Sequence, residues 1–329
     1  MADWTFATGN ALTRKAWAKK WWMEAKTESY FYENGFVGKS NSNIVVEFPD
    51  LEKEQGDVIT YGQLRELSGA GVANDSQMEG AEEAPLTYDD TLTLTQIRNA
   101  IRTAGRETEM RPSDNSIREY ASELLKRWMA AQIDQAIFTA VESSATKTIY
   151  GGDATTTATI EAGDYMTLSL ISKCVAYARK ANPLIIGPNV KGKPMNGVIV
   201  MSPDQAFDLS ERDAAWAQAQ REAQRRGADN PIFTGALGIH KNVPIHEHPR
   251  VATTAVWGTS SNLNGAQASF MGCQCAAIAY SKRKIWEEKT FDFGNKAGFC
   301  IGAIYGISKS VFNSADNAYV AVDTYRTSN

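Results

Sequence analysis

The stretch 112-PSDNSIREYASELLKRWMAAQIDQAIFTAVESS-144 decides how the rest of this chain is read. Pro112 and Ser113 mark a start, with Ser113 as the capping hydroxyl and Asp114 in the first turn, where the helix dipole favours negative charge. Apolar side chains then recur at helical spacing: Ile117, Tyr120, Leu124, Trp128, Ala131, Ile133, Ile137, Phe138 and Val141. No Gly or Pro interrupts before Gly151. The spacing predicts one helix over about 113–143. At 1.5 Å per residue such a helix is a rod of roughly 45 Å, far above the ~11–12-residue average for globular helices. So long a rod in a 329-residue chain implies an extended body.

Upstream, 57-DVITYGQLREL-67 and 86-LTYDDTLTLTQI-97 both read as strands, the second alternating cleanly through Thr91–Thr95. Between them 68-SGAGVANDSQMEGAEEAP-85 has no periodicity. The three segments predict a long antiparallel hairpin with a long tip. Eleven residues at ~3.3 Å each give an arm of roughly 35 Å. A ribbon of two strands is marginal alone in water, so it needs a partner surface.

Charge sharpens this. From Glu47 to Gln96 there are 12 acidic residues and only 2 basic ones, Lys53 and Arg65. That block carries −10 in a chain of net charge −4, which leaves the remainder at +6. One acidic element on a basic body fits an element lying against a basic surface, another copy's included; a solvated acidic loop fits the charge equally well.

The N-terminal stretch 12-LTRKAWAKKWWMEAKTE-28 reads as an amphipathic helix, capped by Asn10 or Thr13. Trp17, Trp21 and Ala25 share a face, and Arg14, Lys15, Lys19 and Lys20 crowd the rest. Four tryptophans in the first 22 residues are a load that should dock on the chain's own body or on a neighbour. A basic helix also suits a membrane or nucleic-acid surface, but docking by its tryptophans fits the composition better.

Downstream, a second helix follows over TLSLISKCVAYARKA with Thr167 as cap. A buried strand GVIVMSP comes next. A third helix opens at Ser202-Pro203-Asp204 and is expected to run to Gly227. The chain is then strand-rich, through NVPIHEHP, TTAVWG, ASFMGCQCAAIAYS, KIWEEKTFDFG, GFCIGAIYGISKSVF and YVAVDTYR. Helix and strand mix without βαβ regularity, so the fold class is α+β.

Composition, 43% hydrophobic and 22% charged, is that of a folded globular chain. No apolar run approaches the ~20 residues that span a bilayer, and MADWTFATGN does not read as a secretory signal. Four scattered cysteines, Cys174, Cys273, Cys275 and Cys300, read as reduced thiols. No phosphate-binding loop, GxSxG, HExxH, CxxC or EF-hand motif occurs. All three histidines fall in 240-HKNVPIHEHP-249. The sharpest enzyme-like idea joins His246 and His248 to Cys273 and Cys275. Each pair is spaced i, i+2 on an expected strand, and together they would make a Cys₂His₂ zinc site. Structural zinc cysteines are usually spaced by two to four on a tight knuckle, so small core cysteines and surface histidines are the better reading. No cofactor is expected.

The order of parts now carries a resemblance. The residues concerned are WAKKWWMEAKTESYF, GDVITYGQLRELSGAGV, EGAEEAPLTYDD, LLKRWMAAQIDQAIF, PIFTGALGIHKNVPIHEHPRV and WEEKTFDFGNKAGFCIGAIYGISKSVF. Over roughly residues 12–325 the chain resembles a tailed-bacteriophage major capsid protein of the HK97-type fold, and in sequence the phage N4-type major capsid family. The resemblance implies an N-terminal arm (1–43) and an extended loop (44–97). It implies a peripheral domain with a spine helix (98–165), an axial domain (166–285) and C-terminal strands returning to the peripheral domain (286–329). It implies self-assembly into hexamers and pentamers of an icosahedral head around double-stranded DNA, made in a bacterial host cytoplasm. Scaffolding, cement and portal proteins are the further partners, with no membrane and no catalysis. Inter-subunit contacts are then expected at Trp17, Trp21, Asp57, Tyr61, Arg65, Glu79, Glu82, Glu83, Asp89 and Asp90. No lysine lies between Lys53 and Lys126. The lysine cross-link of some HK97-type shells is therefore not expected from this hairpin. An encapsulin-like compartment is the first alternative reading, and a zinc-dependent enzyme using the histidine cluster the second.

Overall fold

The computed structural model describes residues 29–48, 57–67, 69, 71–75, 77–106, 117–190, 193–218 and 237–327. Its axis is the spine helix, Ile117–Glu142. The expected start at Ser113 lies outside the described residues. Ala121, Leu125, Met129, Ile137, Phe138 and Val141 form its buried stripe.

That stripe packs on a five-stranded sheet in the order Val37–Gly38, Val45–Phe48, Ala276–Phe291, Lys296–Lys309, Thr95–Arg102. The sheet is built on an antiparallel ribbon of 16 and 14 residues. Its turn uses left-handed backbone at Asp292, Phe293 and Gly294.

A seven-stranded sheet forms the second body. Its order is Gly238–His240, Val243–Glu247, Val198–Met201, Leu263–Met271, Tyr319–Tyr325, Thr148–Tyr150, with Thr253–Trp257 paired to Leu263–Met271. Its central strands are buried on both faces, and residue parity decides the core each side chain joins. Val198, Val200, Met271, Tyr319 and Ala321 join the spine-helix core. Ile199, Met201, Ala268, Phe270, Val320 and Val322 face the helices Leu168–Ala178 and Pro203–Arg212. The fold is α+β, as the mixed pattern requires.

Three expectations change. The third helix does not run to Gly227; it ends at Arg212, and Asp213 is extended (φ −90°, ψ 104°). Residues 214–218 are again helical, and 219–236 lie outside the described residues. The cause is the Asp213 carboxylate, which accepts from Leu168 N–H at 2.7 Å and from Ala215 N–H at 2.9 Å. One aspartate thus caps two helix starts. Thr167 holds the N-cap position of its helix but makes no side-chain cap bond. The opening of the third helix is as read: Ser202 and Gln205 form a reciprocal capping box with Pro203 in the first turn.

Second, the alternating run Thr91–Thr95 is not one strand. It breaks at Leu94: Thr87–Thr93 pairs in the hairpin, and Thr95–Arg102 pairs with Lys296–Lys309 in the five-stranded sheet. Leu94 N–H is held by Asp57 O at 2.8 Å. Third, Cys273 and Cys275 do not sit on a strand. They flank Gln274, whose φ is +61°, in the tight turn between Met271 and Ala276.

Candidate assembly surface

The hairpin pairs Val58–Leu64 with Thr87–Thr93, from Val58↔Thr93 to Leu64↔Thr87. Seven residues make each strand ~23 Å long, shorter than the sequence suggested. One face is inward. Leu92 is fully buried against Ala277 and Ala279, with Ile59, Tyr61 and Phe48 around it. A Cβ on Gly306 would lie 2.4 Å from Leu92 Cδ2 and from Thr93 O, so glycine lets the ribbon approach the hairpin base. Tyr61 Oη donates to Asp90 Oδ2 at 2.7 Å, and Val311 N–H donates to the same oxygen at 3.1 Å. Burial pushes the Tyr61 hydroxyl up to about 12. Gln63 reaches Asn317 at 3.2 Å, and Arg65 reaches Asn182 at 3.0 Å.

These contacts give three of the expected interface residues a role within the subunit. Tyr61, Arg65 and Asp90 hold the hairpin to its own body. Glu47 also turns inward, forming an ion pair with Arg283. Asp57, Glu79, Glu82, Glu83 and Asp89 are exposed. In the tip, Glu83 accepts from Gly69 N–H at 2.6 Å and Glu82 from Gly80 N–H at 2.7 Å, so the acids also shape their own loop. Trp17 and Trp21 lie outside the described residues.

The histidines sit at the root of the arm. Asp134 on the spine helix is buried; it accepts from Ser29 Oγ and from Tyr30 N–H, each at 2.7 Å. This fixes the short helix Tyr30–Glu33 and drops the Tyr30 ring among aromatics. His248 stacks on Phe138 with centroids 4.8 Å apart, and Tyr30 lies 4.9 Å from it. His246 meets Tyr30 at 5.8 Å and Phe36 at 5.6 Å, both edge-on. Burial lowers the His246 imidazole to about 4, and burial also lowers His248. His240 is elsewhere, with Nε2 3.0 Å from Ser172 Oγ.

The zinc set is therefore not assembled. Cys273 Sγ donates to Ser42 O at 3.0 Å, Cys275 is fully buried in the spine-helix core, and the histidines serve an aromatic box. Among the described residues no three His, Cys, Asp or Glu side chains gather as a metal-binding group. Among them, too, no helix is long and apolar enough to cross a membrane.

The junction of the two bodies was missed in the sequence. Lys309 is buried, pairs with buried Asp316 at 2.8 Å, and donates to the Ser143 and Ser144 carbonyls just past the spine helix. Glu142, in the last turn, accepts from Ala252 N–H at 3.0 Å and from Ser269 Oγ at 3.3 Å. Burial pushes its carboxyl up to about 8. No local motif signals either residue: apart from Asp316, seven positions from Lys309, every partner is more than 100 positions away.

A spine helix across a ribbon sheet, a second sheet sandwiched between cores, and a hairpin lying on the ribbon define a viral shell subunit with an HK97-like capsid fold. The chain belongs to the phage capsid protein family, whose model matches residues 5–148 and 140–327. It is similar to the major capsid protein of Pseudomonas phage KPP25, at 26% identity over 92% of this chain and 90% of that one. Among solved structures it is similar to the capsid of Ralstonia phage GP4, with TM-score 0.85, 27% identity and 99% of each chain covered. The Cyanophage Pam1 capsid asymmetric unit shares the fold at TM-score 0.82 and 21% identity, with 100% of each chain covered. The chain is a phage major capsid protein that forms the capsid shell, a structural role in which copies associate with one another.

Proposed function

We propose that copies of this chain form hexamers and pentamers of an icosahedral head that encloses double-stranded DNA, and that the chain acts by association, without catalysis. It divides as the resemblance implies: arm 1–43, extended loop 44–97, peripheral domain 98–165, axial domain 166–285 and returning strands 286–329. The observation that carries the reading is the outward half of the hairpin. Leu67 (65% exposed), Met78 (53%) and Leu86 (54%) stand in solvent beside Glu79, Glu82 and Glu83. Exposed aliphatics on a projecting acidic element suit a neighbouring subunit. Asp57, Glu79, Glu82, Glu83 and Asp89, with Trp17 and Trp21 of the arm, are the inter-subunit contacts in this proposal. Each contact is weak alone and effective because several neighbours are engaged at once. Scaffolding, cement and portal proteins complete the head, which is built in the bacterial host cytoplasm.

Replacing residues 68–85 by a two-residue turn tests this. The variant should keep the circular dichroism and melting of the parent subunit and lose shell formation. Shells of normal yield from that variant would contradict the proposal.

A further inference from the structure

Outside the hairpin, the charge most unevenly placed lies on the helix Leu168–Ala178 and the connection that follows it. From Tyr165 to Pro203 the chain carries five Lys or Arg residues and no Asp or Glu. Where described, these cations stand free: Lys173, Arg179 and Lys180 are exposed, and so is Lys241 on the turn that faces the helix. Among the described residues none of the four makes an ion pair. Arg179 and Lys241 line one open cavity of about 460 Å³ with Ser172, Asn196 and Asn242, so its rim presents two cations, two amides and a hydroxyl. Two bare aliphatics, Leu184 (57% exposed) and Ile186 (64%), stand on the loop that follows the helix, outside the cavity lining. Their loop is held there by Ile185 N–H donating to Ala178 O and by Gly187 packed on Asn196 and Gly197. Cations at a helix C-terminus complement its dipole, which accounts for Arg179 and Lys180 but not for Lys173 or for Lys241 on a different element.

The described chain contains one surface of the opposite character. From Glu66 to Gln96 there are seven acids and no base. The tip that bears Asp75, Glu79, Glu82 and Glu83 also exposes Leu67, Met78 and Leu86. Both surfaces pair single-sign charge with bare aliphatics, and the signs are opposite. The hairpin meets its own subunit through Leu92 on Ala277 and Ala279 and through its one cation, Arg65, on Asn182, not through these tip acids. Among the described residues no tip acid pairs with Arg179, Lys180 or Lys241 of the same chain.

We propose that the basic face formed by Lys173, Arg179, Lys180 and Lys241 is the seat on which the acidic hairpin tip of a second copy docks, with Leu184 and Ile186 receiving the tip's aliphatics. This rests on the self-assembly reading above. Opposite charges of this kind steer the encounter and fix which surfaces meet, while the aliphatics hold the contact once water is excluded.

Charge reversal in two separate chains tests it. One chain carries Arg179→Glu and Lys241→Glu, the other Glu79→Lys and Glu82→Lys; all four side chains are exposed, and melting curves confirm folding. The wild type, which must close into shells in the same buffer, separates failure of this seat from failure of the self-assembly reading. Each reversed chain alone should stay unassembled at concentrations where the wild type closes. An equimolar mixture should form hexameric rings or sheets, because in an alternating ring of six each hairpin finds an opposite seat on its neighbour; a ring of five cannot alternate. The wild-type threshold concentration should rise with salt, as screened charges require. If the mixture forms no hexameric ring or sheet while a single chain bearing all four changes assembles, the tip sits on its own subunit and the proposal is overturned. It is equally overturned if the Arg179→Glu/Lys241→Glu chain assembles normally, including the result in which those shells only retain less nucleic acid. Lys173→Glu with Lys180→Glu is the second seat variant, expected to behave as the first.

Discussion

His246 and Glu142 pull stability in opposite directions with pH. The folded protein holds the His246 imidazole at about 4, below its ordinary 6.5, because burial among Tyr30 and Phe36 disfavours the cation. An imidazole depressed in this way contributes stability that is present above pH 6.5 and lost as pH falls toward 4. His246→Phe, which keeps the ring contacts, should flatten the acid limb of a urea-midpoint-versus-pH curve by about 2 kcal/mol between pH 7 and pH 4. An unchanged limb would show that the arm joint does not set acid sensitivity. Glu142 has the opposite sign. Its carboxyl is raised from 4.5 to about 8, so the folded state binds the proton more tightly and stability falls as pH rises from 4.5 toward 8. Glu142→Gln can accept from Ala252 and donate to Ser269, and should raise the melting temperature at pH 8 with little effect at pH 5. A lower melting temperature at both values would mean that the ionised form is the one the junction needs.

Among the elements, the helices show which caps the chain actually uses. Asp213→Ala should cost about 1–2 kcal/mol, because it strips the cap from Leu168 and from Ala215 together. Thr167→Ala, at the nominal cap, should stay within about 0.5 kcal/mol, since its hydroxyl caps nothing. Chemical denaturation of the two variants decides between them; equal costs would refute the reading of Asp213. The same comparison shows what a sequence carries. The spine helix was legible because apolar residues recur over many turns with no Gly or Pro between, though its buried stripe runs through Ala121, Leu125 and Met129 and leaves Leu124 exposed. Ser202-Pro203-Asp204 was legible because a capping box is complete within four residues. Asp213 was illegible because its second partner lies 45 positions away. Thr91–Thr95 alternates well enough for one strand, and only the competing partner, Lys296–Lys309, breaks it at Leu94. Cys273 and Cys275 read as strand because nothing before Gln274 announces left-handed backbone.

At the scale of the whole molecule, the mixed α+β class and the capsid family were legible, and the family match bears out the family. The use of each hairpin acid was not. Glu47 and Asp90 belong to the same acidic block as Glu79 and Glu82, yet the first two are spent inside the subunit, and only three-dimensional placement separates them. The histidine cluster looked like chemistry because three such residues fell together; their neighbours in space are aromatic rings and Ser172. Electron microscopy of the purified full-length protein, read beside its sedimentation, tests the central claim most directly. The account predicts closed shells, or rings and sheets of capsomers. A population that remains a 36.0 kDa monomer across concentration, salt and crowding would contradict it.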